Sequence, residues 1–159
     1  MNMSANRVIR NDMIFLNERI SSKENALYFL TTKAVQVKII TQQEEFLSKV
    51  LEREAMVSTA VGYQIAMPHG KSQAVQQPFI GFLRTLEPFV WSTQDNEAVN
   101  MVFLIGVPAE NQGNIHLKVI SQLSKKLLHD SFREQLAQLN QVDEIYSLLA
   151  SLNKNLSAK

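Results

Sequence analysis

Cysteine is absent from the 159 residues. Disulfides, thiolate catalysis and cysteine-ligated zinc are excluded with it, and the cytoplasm is the expected location. Histidine is scarce as well, with three residues. They show neither H-x-x-x-H nor H-x-x-E-H spacing, so no metal site is expected. An excess of charge of one sign is also missing: 16 basic against 15 acidic residues give a net charge of +1. No footprint for nucleic acid or a membrane surface follows from that balance. No run approaches the roughly 18 apolar residues of a membrane helix, and the N-terminus lacks a signal-peptide pattern. There is no repeat, no low-complexity tract, no internal linker and no cofactor loop.

What is present is an ordinary globular composition, 45% apolar and 19% charged, with room for one domain and a proper core. Residues 1–11 are polar and expected to be flexible, as is the tail from 153 to 159; a single domain is expected over 12–152. Asp12 to Leu16 suits a strand. Ser21 with Glu24 has capping-box spacing and starts a helix with Ala26, Leu27, Leu30 and Ala34 inward. Thr41 with Glu44 repeats that spacing before a second helix, which carries Phe46, Leu47, Val50 and Leu51 on one face and ends near Arg53-Glu54. The stretch from Val35 to Ile40 reads as a helix end and connector. Phe79 to Leu83 reads as a strand, with a short continuation at Val90-Trp91 beyond Pro88. Val99 to Ile105 is almost wholly apolar, as in a strand covered on both faces. A long helix with Val119, Ile120, Leu123, Leu127 and Leu128 inward follows. Asp130 caps a shorter one, and Val142 to Ala150 forms the last. Strands alternating with helices predict an α/β architecture, a sheet between helical layers.

The stretch Val61-Gly62-Tyr63-Gln64-Ile65-Ala66-Met67-Pro68-His69-Gly70-Lys71 carries the most chemistry. Pro68 fixes its own φ and pushes Met67 to an extended conformation, so the strand is expected to stop there. Gly70 lets the chain turn away or lets another group approach its backbone. His69 is thus presented at a strand tip, with Lys71 beyond it. Imidazole is a neutral nucleophile near pH 7, since its unperturbed pKa is about 6.5. Locally, a loop histidine without a role reads equally well.

Arg53-Glu54, Ser58-Thr59, Gly62 and then Ala66-Met67-Pro68-His69-Gly70-Lys71 resemble the signature of the fructose/mannitol-type IIA domains. Those domains belong to the phosphoenolpyruvate-dependent sugar phosphotransferase system. The resemblance continues through Pro88, Trp91, Val99 to Val107 with Pro108, and His116-Leu117, so it covers nearly the whole chain. It implies a mixed, mostly parallel sheet of about five strands sandwiched between helices. It also implies that His69 carries a phosphoryl group and that His116 is a second active-site histidine. His116 lies on the core-side stripe near the start of its helix, capped by Asn111 or Asn114, where the helix dipole favours a neutral ring. A neutral ring can still donate one hydrogen bond to a phosphoryl oxygen; read by itself, His116 suits a satisfied, partly buried histidine. Arg53 offers forked donors to a phosphoryl group, although arginines at helix ends are usually solvated. Thr59 is a weaker candidate for a hydroxyl contact, Ser58 weaker still. His129 reads as a dipole partner near a helix C-terminus, and Trp91 as core packing. Where many relatives have glycine after the Ser/Thr pair, this chain has Ala60, which would be strained if φ there were positive.

By resemblance the protein is a IIA phosphocarrier, closer to the fructose type than to the mannitol type. HPr is the implied donor, and the implied acceptor is the cysteine of a IIB component on a separate chain. No metal or cofactor is required. Docking is expected to be transient, over an apolar rim including Met67. Any membrane association would be indirect, through IIB and its membrane partner, and a weak homo-oligomer stays open. The alternative is a stand-alone, nitrogen-type regulatory IIA protein whose phosphorylation state controls binding to other proteins. A metal-free enzyme acting on a small molecule finds little support.

Overall fold

The computed structural model describes residues 7–110 and 114–153. Its centre is the antiparallel pair β5 (Phe79–Ser92) and β6 (Glu97–Pro108). Alternate residues of these strands enter two different cores. Ile80, Phe82, Met101, Phe103 and Ile105 serve one, and Phe79, Leu83, Val102 and Leu104 serve the other. A strand buried on both faces must be apolar at successive positions, which is why the alternation disappears from the sequence here.

β1 (Ile9–Glu18) runs parallel to β5 on one side. On the other side of β6 lie β3 (Ile65–Ala66) and β4 (His69–Ser72), both parallel to it, and β2 (Ala60–Gly62) closes antiparallel against β3. The sheet is mixed and has six strands rather than about five, because the strand expected to end at Pro68 stops at Ala66 and resumes at His69, directly after the proline. Two helices, α1 (Lys23–Gln36) and α2 (Gln43–Met56), cover one face through Ala26, Leu27, Leu30, Ala34, Phe46 and Val50. Three more, α3 (Ile115–Leu127), α4 (Asp130–Gln138) and α5 (Val142–Leu149), cover the other. The three-layer α/β sandwich is as expected.

Several boundaries move. β1 begins at Ile9, within the segment expected to be flexible, because Val8 and Ile9 are buried in the core and Val8 O accepts from Ile80 N at 3.0 Å. Asn153, placed in the tail by the sequence, accepts from Ile9 N through Oδ1 at 2.7 Å and so ties the segment after α5 to the start of β1. The remainder of both expected flexible segments, 1–6 and 154–159, lies outside the described residues. Ser22 rather than Ser21 caps α1, taking Asn25 N at 3.0 Å. The N-cap of α2 is Gln42, without a side-chain cap, and Thr41 instead donates to Ala74 O. Leu51 and Leu128 are exposed where inward positions were expected. β5 passes through Pro88 without ending: the pairing register slips between Arg84 and Phe89, and an irregularity of that kind accommodates proline.

One cation is buried with the sheet. Arg84 Nη1 donates to Leu136 O and Leu139 O, each at 2.7 Å, and Nη2 to Asn140 Oδ1 at 2.9 Å. It satisfies carbonyls at the C-terminal end of α4, where the helix has no internal donors left to offer.

Candidate active site

The site is built where β3 gives way to β4. Met67 turns its N–H to Thr59 O at 3.0 Å, and Pro68 has none to give. The Pro68 carbonyl nevertheless accepts from Ile105 N at 2.9 Å, so contact with β6 survives the proline and pairing resumes at His69 opposite Ile105. His69 therefore opens a strand instead of terminating one. Its backbone is fixed by the sheet, while its side chain is half-buried.

The ring is fixed as well. His69 Nδ1 lies 3.1 Å from Met67 O. A carbonyl oxygen can only accept, so Nδ1 carries a proton, and in the neutral ring Nε2 is the nitrogen with the lone pair. That is the tautomer in which Nε2 is a nucleophile.

Gly70 serves close approach, the second of its two readings. A Cβ there would stand 2.8 Å from Val50 Cγ2, 3.2 Å from Val50 N and 3.3 Å from Phe46 Cε1, so α2 rests on the bare backbone of β4. Arg53 is three residues beyond Val50, on the same helical face. It lines one groove, of about 530 Å³, together with Lys49, Met56, His69, Lys71 and His116. Glu52 is the one acid in that lining, so the groove is strongly basic. Arg53 Nη1 donates to Val57 O at 2.8 Å, which anchors one of its five N–H groups. His116, the second residue of α3, is half-buried. Its pKa is lowered from the ordinary 6.5, first by burial and then by the charges of Lys71 and His69. The neutral ring expected from the helix dipole thus has burial as its main cause. Asn114 occupies the N-cap position in a left-handed conformation and makes no side-chain cap; Asn111 lies outside the described residues.

Thr59 is in another place than expected. It is buried, its N–H donates to Glu54 Oε2 at 2.9 Å, and its hydroxyl donates to Glu54 Oε1 at 2.7 Å. The only hydroxyl proton is committed to that carboxylate. Ser58 Oγ accepts from Ala60 N. Ala60 is not among the residues of positive φ, so it carries no such strain; the left-handed backbone falls at Gly62, Tyr63 and Gln64, in the turn between β2 and β3. Met67 is buried and cannot form a docking rim. Exposed apolar groups close in sequence to the site residues include Met56, Val57 and Leu117. Among the described residues no group of three His, Cys, Asp or Glu side chains is placed to hold a metal ion, and no helix is long and apolar enough to cross a membrane.

Sequence reasoning missed Lys49 and Glu54. Lysine in an exposed helix position gives no signal. Glu54 does give one: it follows Phe46 and Val50 at intervals of four, so it continues the buried stripe of α2. Trp91, expected as packing, also donates through Nε1 to Glu54 Oε2 at 2.7 Å.

Known proteins resemble this chain over most of its length. The fructose-like EIIA component of the phosphotransferase system of Escherichia coli (strain K12) is 38% identical over 145 residues, 91% of this chain and 95% of that one. Among solved structures, the nitrogen regulatory protein IIA-Ntr from Neisseria meningitidis superimposes with a TM-score of 0.80 at 27% identity, over 89% of this chain and 96% of that one. The complex of the mannitol enzyme IIA with phosphorylated mannitol enzyme IIB from Escherichia coli gives a TM-score of 0.76 at 26% identity, over 90% and 99%. The family model described as "Phosphoenolpyruvate-dependent sugar phosphotransferase system, EIIA 2" matches residues 7–152. The chain belongs to that family, as an EIIA component of the fructose-like and mannitol type.

Proposed function

We propose that this EIIA component takes a phosphoryl group from the phosphohistidine of HPr onto His69 Nε2 and passes it to the cysteine of a separate IIB component for sugar uptake. The observation that carries the reading is the bond from His69 Nδ1 to Met67 O, which in the neutral ring puts the lone pair on Nε2, beside a basic groove. In the first transfer the Nε2 lone pair bonds phosphorus as the donor's N–P bond breaks, and the donor ring keeps that electron pair. In the second, the IIB thiolate bonds phosphorus and Nε2 recovers its pair. The phosphoryl group brings roughly two negative charges and three acceptor oxygens. Arg53 and neutral His116 donate hydrogen bonds to it, and Lys49 and Lys71 add charge. Catalysis is then mainly positioning and charge neutralisation, with the cytoplasm as its place. Met56, Val57 and Leu117 supply an apolar rim for transient docking.

Intact mass after incubation with phosphoenolpyruvate, enzyme I and HPr tests the reading. One acid-labile phosphoryl group is expected on the wild type and none on His69→Ala, with loss of the label when a cognate IIB is added. An unlabelled wild type would overturn the carrier role.

A second reading rests on the likeness to the nitrogen regulatory protein. There the phosphoryl group would stay on His69 and alter binding to another protein. Label retained in the presence of every IIB component of the same cell would favour it.

A further inference from the structure

Glu54 is buried beside the site and its carboxylate accepts three hydrogen bonds. Oε2 takes Thr59 N at 2.9 Å and Trp91 Nε1 at 2.7 Å; Oε1 takes the Thr59 hydroxyl at 2.7 Å. A buried carboxylate is costly unless donors replace water, and here three do. The bonds do not stop at Thr59. Its carbonyl accepts from Met67 N at 3.0 Å, and the Met67 carbonyl holds His69 Nδ1 at 3.1 Å. Glu54 also immediately follows Arg53 in the last turn of α2. One carboxylate therefore joins the helix that carries the arginine to the strands that aim the imidazole.

We infer that Glu54 is a positioning residue for phosphoryl transfer: with Thr59 and Trp91 it fixes the orientation and tautomer of His69 and its place relative to Arg53. The effect on transfer rests on the phosphocarrier reading above; the effect on the ring does not. The carboxylate touches neither the phosphoryl group nor the nucleophile. It acts through Thr59 and Met67. Without it, the N–H groups of Thr59 and Trp91 lose a buried acceptor, so β2 and the Met67 carbonyl shift and Nδ1 is no longer held protonated. Misplacement by about an ångström costs a rate of this kind roughly a hundredfold.

The test compares the wild type, Glu54→Gln and Glu54→Leu. The first reading is the ¹⁵N spectrum of the His69 ring at neutral pH, without any phosphodonor. A single tautomer protonated at Nδ1 is expected for the wild type and Glu54→Gln, which keeps an acceptor, and a tautomer mixture for Glu54→Leu. The second is phosphorylation by phospho-HPr over a range of donor concentrations. For Glu54→Leu, kcat is expected to fall about tenfold to a hundredfold with KM little changed, and Glu54→Gln to recover most of the loss. Should Glu54→Leu fail to fold, Thr59→Val removes one of the three donors and is expected to give the same readings at smaller amplitude. A folded Glu54→Leu, or Thr59→Val in its place, that keeps the single Nδ1–H tautomer overturns the inference, whatever its rate. So does a loss confined to KM, which would make Glu54 part of a docking surface. If the wild type takes no phosphoryl group, the carrier reading falls alone, because the ring spectra still decide what Glu54 does.

Discussion

Val50 and Gly70 meet with no space between them: a Cβ on Gly70 would stand 2.8 Å from Val50 Cγ2 and 3.2 Å from the Val50 backbone nitrogen. Helix α2 is thereby seated on the strand that begins with His69. The depth of that seat decides how far Arg53 stands from the ring.

Substitution of Gly70 by alanine is expected to lift α2, because helix backbone cannot give way as the end of a side chain can. Overpacking of this kind costs about 1–3 kcal/mol. The midpoint of urea unfolding should fall with an unchanged m-value, and the rate of phosphorylation should fall with it. A variant with the wild-type midpoint would show that the helix yields freely.

Arg53→Lys removes the planar fork and the bond to the Val57 carbonyl. Loss of a donor aimed at developing charge costs roughly a hundredfold or more in rate. Single-turnover phosphorylation by quenched flow is expected to show that drop, with thermal stability nearly unchanged. Equal rates would take Arg53 out of the site.

The lowered pKa of His116, due first to burial and then to Lys71 and His69, links stability to pH. In the unfolded chain the ring titrates at about 6.5, so just below that pH the unfolded chain binds the proton more readily. Stability is full above the unfolded pKa and is lost as pH falls toward the folded one. From about pH 7.5 to about pH 5.5, Tm should fall more in the wild type than in His116→Asn. A phosphoryl group on His69 adds nearby negative charge, so the His116 pKa should rise in the phosphorylated protein. An NMR titration of both forms reads this directly.

Arg84→Met leaves the Leu136 and Leu139 carbonyls without their donor. Hydrogen bonds to charged groups of this sort contribute about 3 kcal/mol or more together. Denaturant titration should show a loss of that order, while phosphorylation well below the melting temperature is retained.

Much of this was legible in the sequence, and several of the parts that were not share a cause. The helix stripe at Ala26, Leu27, Leu30 and Ala34 and the apolar run in β6 announce burial directly. So does the three-layer order of elements. His69, Arg53 and His116 do share one groove. Several misreadings arise where a polar residue has an internal partner. Glu54 looks like surface until Thr59 and Trp91 surround it, and Thr59 looks like a ligand until its proton is seen to be spent. Capping signals fared poorly for the same reason: Thr41 found a carbonyl on a distant segment that no local pattern reveals. Pro68 was read as an ending because of the backbone it imposes, yet its carbonyl keeps the contact with β6.

The chain has a single tryptophan. Its indole nitrogen is bonded to Glu54, so all tryptophan emission from this protein comes from one chromophore attached to the bonds that lead to His69. Fluorescence can therefore follow the state of that carboxylate in the unlabelled protein, on the timescale of transfer itself.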